Sequence, residues 1–372
     1  MRLQRGTASA VIKEGARPRG KDIEVRRATI TDVAKRSKVS PKTVSRVINN
    51  EPSVRERTRN RVLEVISELK YHPDISARNL RSAKAYAIGL AYDNPNPYYV
   101  ISVQSGVLAA CRTTGFGLQI HPCNAASPQI AEELLDLARR SRLSGLILAP
   151  PMSERPELFQ YLSANGVHFV RIISAAEDPK DGFPCVYVDD RDAAYAITEH
   201  LIQLGHERIG FLWGGTAHLS SFERYKGYRL ALERYGIAPD ESLALPGDYS
   251  FDDGFRGTRK LLSLPRRPTA IFGSNDEIAA GALVAARSMG LDVPNELSIA
   301  GFEDSPFSRQ SWPALTTARQ ATEEIARAAT LLLISELRPH AVGTKDFTGR
   351  SQGFSPELVV RGSTARAPAS NG

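Results

Sequence analysis

The side chains of this 372-residue chain that could grip a small polar molecule lie in short loops that follow apolar runs. Asp189, Asp190 and Asp192 follow CVYV, Gly247-Asp248-Tyr249 follows a short apolar run around Ala244, Ser274-Asn275-Asp276 follows TAIFG, and Glu303-Asp304 follows LSIAGF. Arg224 lies in the stretch from Ser220 to Gly227, and Tyr98 and Tyr99 come after the first apolar run across the Pro-rich loop Asp93–Pro97. Carboxylates and amides accept paired hydroxyls, and a flat aromatic can lie on a sugar ring. A single Asp or Asn in such a loop serves as readily to cap the next helix. Convergence of several loops on one cleft is what would make a binding site.

A second set of groups suits nucleic acid. In Ser40-Pro41-Lys42-Thr43-Val44-Ser45-Arg46-Val47-Ile48-Asn49, the residues Val44, Val47 and Ile48 form one stripe at helical spacing, which leaves Lys42, Thr43, Ser45, Arg46 and Asn49 on other faces. Those five donors fit phosphates and base edges. Ser40 is a good N-cap, and Pro41 at the first helical position loses no hydrogen bond. Upstream, Thr29 and Asp32 approximate a capping box for a first helix over 30–37, with Ile30, Val33 and Ala34 on its inner face. Two short helices joined by a tight turn, the second one basic, match a helix-turn-helix. Ser53-Val-Arg-Glu56 reads as a full capping box opening a third helix to Leu69.

Catalytic constellations are missing from the sequence. It contains no G-x-x-x-x-G-K-[ST], no G-x-G-x-x-G after a strand, no G-x-S-x-G nucleophile elbow between a strand and a helix, and no H-E-x-x-H. His200 and His206 fit a helix end and loop, and His121 fits a loop. Cys111, Cys123 and Cys185 lack metal-ligand spacing and suit a reduced, cytoplasmic protein. The expectation is no catalytic residue, no metal and no cofactor. No apolar run reaches transmembrane length, and the charged first residues do not fit a signal peptide. The overall charge of +7 is uneven: residues 1–83 hold twenty Lys and Arg against nine acids, so the remainder is net acidic. A basic DNA-reading head on an acidic body has this footprint.

The elements that must position these groups alternate. AIGLAY, FGLQI, SGLILA, VHFVRI and CVYV read as strands with helices near 98–114, 129–141 and 155–164 between them. RIGFLW, a short apolar run around Ala244, TAIFG and LSIAGF repeat the pattern with helices near 190–204, 221–235, 252–262 and 276–289. Such alternation predicts parallel sheets covered on both faces, and two successive sets predict two lobes. The fold class is therefore an all-α head followed by an α/β body.

TITDVA, VSPKTVSRVIN, the T-R-x-R-V of Thr58 to Val62, YHP and the A-R-N-L of Ala77 to Leu80, in that order, resemble the lactose-repressor and galactose-repressor (LacI/GalR) family of bacterial transcription regulators. The resemblance implies a disordered extension at 1–28, a DNA-binding head at 29–73, a hinge helix at 74–84, a two-lobed periplasmic-binding-protein-like core at 85–362 and a flexible tail at 363–372. Lobe 1 would take 85–205 and 319–340, lobe 2 would take 206–318 and 341–362. It further implies a homodimer, with a tetramer left open, on double-stranded operator DNA. Pro41, Lys42 and Arg46 would face bases, while Thr29, Thr43, Ser45, Asn49 and Tyr71 would hold phosphates. Paired Leu80 residues would wedge the minor groove, with Ala77 letting the hinge helices approach.

By the same resemblance Arg224, Tyr249 and Asn275 match the effector-binding arginine, the stacking aromatic and the hydrogen-bonding amide; the loop after CVYV adds Asp189 and Asp192 as effector-binding candidates. Tyr98 and Tyr99 resemble an aromatic pair of the first lobe. Glu303 replaces the usual Asp of G-[YF]-D-[DN]. The turn that usually reads Ala-Gly-Val-Ser is Ser37-Lys38-Val39-Ser40 here, which puts Lys38 where Gly takes a positive φ. Trp312-Pro-Ala-Leu-Thr-Thr317 resembles the P-x-L-T-T crossover, its indole a cleft-mouth residue or an interlobe anchor. A repressor released by a carbohydrate is the preferred reading, a regulator with a nucleobase-type corepressor the runner-up. A solute-binding transport protein and an enzyme with an appended DNA module are the other classes.

Overall fold

The structure, a computed structural model, describes residues 28–48, 53–69, 71, 86–337 and 350–369. They fall into two compact units, a head before residue 75 and a core after it. The expected basic extension apart from Ala28, the hinge with Ala77 and Leu80, and Asn49 lie outside the described residues.

The head holds α1 (Ile30–Ser37), α2 (Pro41–Ile48) and α3 (Glu56–Glu68). Val33, Ala34, Val44, Val47, Val62, Val65 and Tyr71 make its core. At Thr29 the capping box is complete, since its side chain accepts from Asp32 N–H and the Asp32 carboxylate accepts from Thr29 N–H. The Ser40 hydroxyl accepts from Thr43 N–H at 3.1 Å and so starts α2. The box expected at Ser53 does not form: α3 begins at Glu56 behind Arg55, with no side-chain cap. With Arg55 as the cap, Glu56 stands at the first helical position instead of the third, out of reach of the reciprocal bond.

The core contains two parallel sheets. In the first, β1 (Ala87–Tyr92), β2 (Gly117–Pro122), β3 (Gly145–Leu148), β4 (Phe169–Ser174), β5 (Cys185–Val188) and β11 (Ser351–Phe354) run in the order β11-β5-β4-β3-β1-β2. One face is covered by α4 (Pro97–Thr114) and α11 (Thr322–Leu337), the other by α5 (Ile130–Arg140) and α6 (Pro156–Ala164). The second sheet, order β7-β6-β8-β9, comprises β6 (Ile209–Leu212), β7 (Ala244–Leu245), β8 (Ala270–Gly273) and β9 (Ser298–Ala300). On one face lie α7 (Asp190–Gln203) and α8 (Leu219–Arg234), on the other α9 (Phe251–Leu262) and α10 (Asp276–Ser288).

Three boundaries differ from expectation. Helix α7 belongs to lobe 2, not lobe 1, because Ala193, Ala194, Ile197 and Leu201 pack against Ile209, Phe211 and Phe272. The first crossover therefore falls at Asp189. Strand β11, placed by the sequence in lobe 2, pairs in parallel with β5 at the edge of the first sheet. Its SQGF sequence carries one large apolar residue and no alternation, so the pattern gave no sign of it. The following β12 (Glu357–Val359) pairs antiparallel with β10 (Thr317–Arg319), the second crossover. The tail is docked through residue 367: Ser363 is fully buried, Ala365 N–H donates to Ser298 Oγ at 3.0 Å, and Ala367 N–H donates to Leu204 O at 2.8 Å. Its composition is that of a frayed end, but its backbone donors find acceptors along lobe 2.

Candidate functional site

Every loop that lines the cleft between the lobes leaves the carboxyl end of a strand, the place where open α/β sheets bind ligands. Lobe 1 supplies Asn96 and Tyr99 after β1, Pro150 after β3 and Ser174 at the end of β4; Asp190 stands at the crossover after β5. From lobe 2 come His218, Ser220 and Arg224 after β6, Tyr249 after β7 and Glu303 after β9, with Gln320 on the returning crossover. The space left among them is about 40 Å³, room for a few waters and too little for a sugar ring.

Arg224 is the centre of the site. Its Nε donates to Asp190 Oδ1 at 2.8 Å, its Nη1 donates to Ser274 O at 2.6 Å, and its guanidinium lies 3.8 Å from the centre of the Phe302 ring. Asp190 also accepts from the Ser174 hydroxyl at 2.6 Å, so one carboxylate ties lobe 1 to the lobe-2 arginine. Burial works against the charge on Arg224, and Asp190 with Tyr249 and Glu303 outweighs it, leaving its pKa raised. Glu303 Oε2 accepts from Asn96 Nδ2 at 2.9 Å across the lobes, while its Oε1 stays 3.8 Å from Arg224 Nη1. Burial pushes Glu303 up to about 8, with Arg224 pulling the other way and Asp276 and Asp190 adding to the rise. Asp276, held by the Thr317 hydroxyl, is pushed by burial to about 7.

Backbone strain concentrates here. Tyr249, Glu303 and Asp304 take φ of 58°, 102° and 57°, a region where side chains other than Gly cost energy. The Tyr249 hydroxyl shares hydrogen bonds with Ser220 and Ser221, and a Cβ at Gly214 would overlap its ring.

Of the residues expected to hold a ligand, Tyr99, Arg224, Tyr249 and Glu303 line the cleft and the others do not. Tyr98 sits edge-on to Phe307 at 5.4 Å and faces a neighbouring groove. Asp189 caps α7 by accepting Asp192 N–H at 3.0 Å, and Asp192 is exposed. Asn275 is fully buried as the cap of α10, accepting from Ile278 N–H at 2.8 Å and donating to Tyr249 O at 3.3 Å, so it shapes the Tyr249 turn from behind. Trp312, 81% exposed, neither lines the cleft nor anchors the lobes. Sequence reasoning missed Asn96, Ser174, His218, Ser220 and Gln320, and of the three acids after CVYV it carried Asp189 and Asp192 forward in place of Asp190. A signal for Asp190 existed: it continues the inward parity of Val186 and Val188, which the capping Asp189 breaks.

The head carries the second candidate surface. Thr29, Pro41, Lys42 and Arg46 are exposed, and Thr43 and Ser45 are half-buried, the Thr43 hydroxyl sharing a 3.0 Å hydrogen bond with Ser40. Tyr71 differs from the rest because its ring is built into the head core. Among the described residues no cluster of three or more His, Cys, Asp or Glu could hold a metal ion, and no helix is long and apolar enough to cross a membrane.

Comparison with known proteins separates the two units in the same way. Residues 29–74 match the model for bacterial regulatory proteins of the lacI family, and residues 198–364 match a periplasmic binding protein-like domain. The HTH-type transcriptional repressor CytR of Escherichia coli (strain K12) is 32% identical over 342 residues, 92% of this chain and 97% of that one. Among solved structures, the transcriptional regulator CelR–cellobiose complex has a TM-score of 0.67 at 27% identity, covering 91% of this chain and 100% of that chain. The lac repressor dimer bound to operator and the anti-inducer ONPF has a TM-score of 0.68 at 26% identity, covering 91% and 99%.

Proposed function

The chain belongs to the lacI family of bacterial regulatory proteins, and from that premise we propose that it is a cytoplasmic repressor that binds a nearly palindromic operator as a homodimer and is released by a polyhydroxylated small molecule, a sugar, held between its lobes. Lys42 and Arg46 suit guanine O6 and N7, and the two heads of a dimer would read half-sites in successive major grooves. The dimer on operator in the lac repressor structure supports this reading.

The observation that carries the effector class is the pairing of Arg224. Its Nε and Nη2 serve Asp190 and its Nη1 serves Ser274 O, so the buried cation has few donors left for a ligand. What the cleft still offers is rich in acceptors: Glu303, whose Oε1 stays 3.8 Å from Arg224 Nη1, and a Gln320 Oε1 that is buried without a partner. A ligand that brings many donors fits, and hydroxyl groups are such donors. The CelR–cellobiose complex supports a carbohydrate, while Tyr99 and Tyr249 in the lining favour a nucleobase as the second reading. The ligand enters with the lobes apart, since the closed cleft has no room for it. Release requires that it bind the off-operator state better, by a coupling of about 1–3 kcal/mol.

A thermal-shift screen of mono- and disaccharides against purines and nucleosides tests this. A true effector at 100 times its dissociation constant adds about 2.7 kcal/mol to the core and dissociates the operator complex in a gel-shift titration. Stabilisation by a purine alone, with tighter operator binding, would replace the sugar reading by the corepressor one.

A further inference from the structure

Helix α8, which carries Ser220, Ser221 and Arg224 into the cleft, starts without a cap of its own. Its N-cap residue His218 makes no side-chain hydrogen bond to the first turn, so the leading N–H groups need other acceptors. One comes from the opposite lobe. Glu154 ends the short 3₁₀ turn Met152–Glu154 after β3, and its Oε2 accepts from Leu219 N–H at 2.9 Å. The adjacent Arg155 does not take that carboxylate, because it is paired with Glu157 at 2.7 Å. The second oxygen, Oε1, is buried without a partner. A buried carboxylate set at a helix N-terminus is stabilised there by the helix dipole and by the orphan donor it satisfies.

We propose that Glu154 is a positioning residue for the cleft: an N-cap that lobe 1 supplies to the lobe-2 helix bearing Arg224, completed when the lobes close and lost when they open. A side-chain cap usually lies in the same chain segment as its helix and is independent of domain motion. Placed in the other lobe, the cap makes the order of the first turn of α8, and with it Ser220, Ser221 and Tyr249 through their hydroxyl bonds, a function of closure. Burial pushes Glu154 up to about 7 against the pull of the Leu219 and Ser174 backbone, with Asp190 adding to the rise. This fits a carboxylate whose partner is a helix end and not a cation. The cap rests on the contact of Glu154 with Leu219 N–H and not on which ligand the cleft takes.

The test is amide hydrogen exchange on the full-length chain without ligand, comparing wild type, Glu154→Ala and Glu154→Gln. Loss of one charge-assisted bond should speed exchange at Leu219 about tenfold in Glu154→Ala, with Tyr228 to Arg234 at the far end of α8 unchanged. Glu154→Gln keeps an acceptor oxygen and should restore most of the protection. Unchanged protection of Leu219 in Glu154→Ala overturns the cap. Equal loss in Glu154→Gln, or faster exchange across the whole core in both variants, overturns it too, because Glu154 would then act as a bare charge or a general support of the fold. The readout needs no effector, so a sugar screen that fails leaves this result standing, and the reverse holds as well.

Discussion

The recognition helix of the head and the effector cleft of the core both depend on a few charged side chains, and they hold them in opposite ways. Lys42 and Arg46 are exposed on α2, whose apolar stripe Val44 and Val47 is buried beneath them. In the cleft the side chains of Arg224, Asp190 and Glu303 are 4%, 3% and 14% exposed, and the arginine is the counterion of both acids. A charge on the exposed head surface can be deleted without leaving another charge buried. A charge in the cleft is a counterion, and its removal leaves another charge buried. Truncation should therefore be read as lost binding in the head and as lost stability in the core.

The largest effect should come from Arg224→Ala. It strands Asp190 beside Glu303, and breaking a buried pair from one side costs about 3–5 kcal/mol. Calorimetry should show the core transition falling steeply while the head transition stays in place, together with loss of any effector response. Adding Asp190→Asn should recover a large part of the loss. A core as stable as wild type would mean that the Arg224–Asp190 bond does not persist in solution, and the contrast between the two regions would vanish.

Lys42→Ala comes next, with the opposite signature. Operator affinity should fall by about 1–3 kcal/mol, the worth of a good base contact, while both melting transitions stay unchanged. If the loss is the same on non-specific DNA, Lys42 holds a phosphate and the base-facing assignment is wrong.

The same contrast explains what the sequence disclosed. Helix faces of the head follow from the spacing of Val33, Ala34, Val44 and Val47, because a helix sorts its surface by period alone. The nine strands that carry apolar runs were legible for the same reason, and β10, β11 and β12, with their short polar sequences, were not. In the cleft, spacing located the loops but could not say which acid in Asp189-Asp190-Arg191-Asp192 meets Arg224. That depends on where α7 begins: one residue caps the helix and its neighbour turns inward. Asn275 was misplaced for a related reason. An Asn after a strand has the same chemistry whether it faces a ligand or the first turn of the next helix, and only the position of Tyr249 O decides.

A smaller effect tests how the cleft carries its excess of acid. Glu303 is pushed up to about 8 in the fold from an ordinary value near 4.5. Folding therefore disfavours its ionised form, and its contribution to stability is greatest below the ordinary value and declines as pH rises toward 8. Glu303→Gln removes this dependence. The difference in melting temperature, wild type minus variant, should fall steadily between about pH 5 and 8. The comparison must be a difference, because His200, His206 and His218, all held below their ordinary range chiefly by burial, favour the fold as pH rises through the lower half of that window. A flat difference would mean that Glu303 is solvated, with the lobes open when no ligand is bound.

The smallest effect concerns the turn of the head, the one place among its described residues where a side chain takes a positive φ as in the cleft. Lys38 closes α1 at φ 53°, ψ 45°, its N–H donating to Ala34 O and Lys35 O while Val39 N–H donates to Ala34 O at 3.0 Å. A side chain in this left-handed conformation costs about 1–2 kcal/mol. Lys38→Gly relieves that cost but adds unfolded-chain entropy worth about 0.4–1 kcal/mol. A net gain near 1 kcal/mol remains, which should raise the head transition by several degrees and leave the core untouched. Operator binding then decides why Lys stands there. If its ammonium holds a phosphate, Lys38→Gly will bind operator more weakly despite a more stable head, and the slope of log affinity against log salt will shrink by about 0.9. With affinity and slope both unchanged, Lys38 contributes strain to the turn and nothing to the DNA contact.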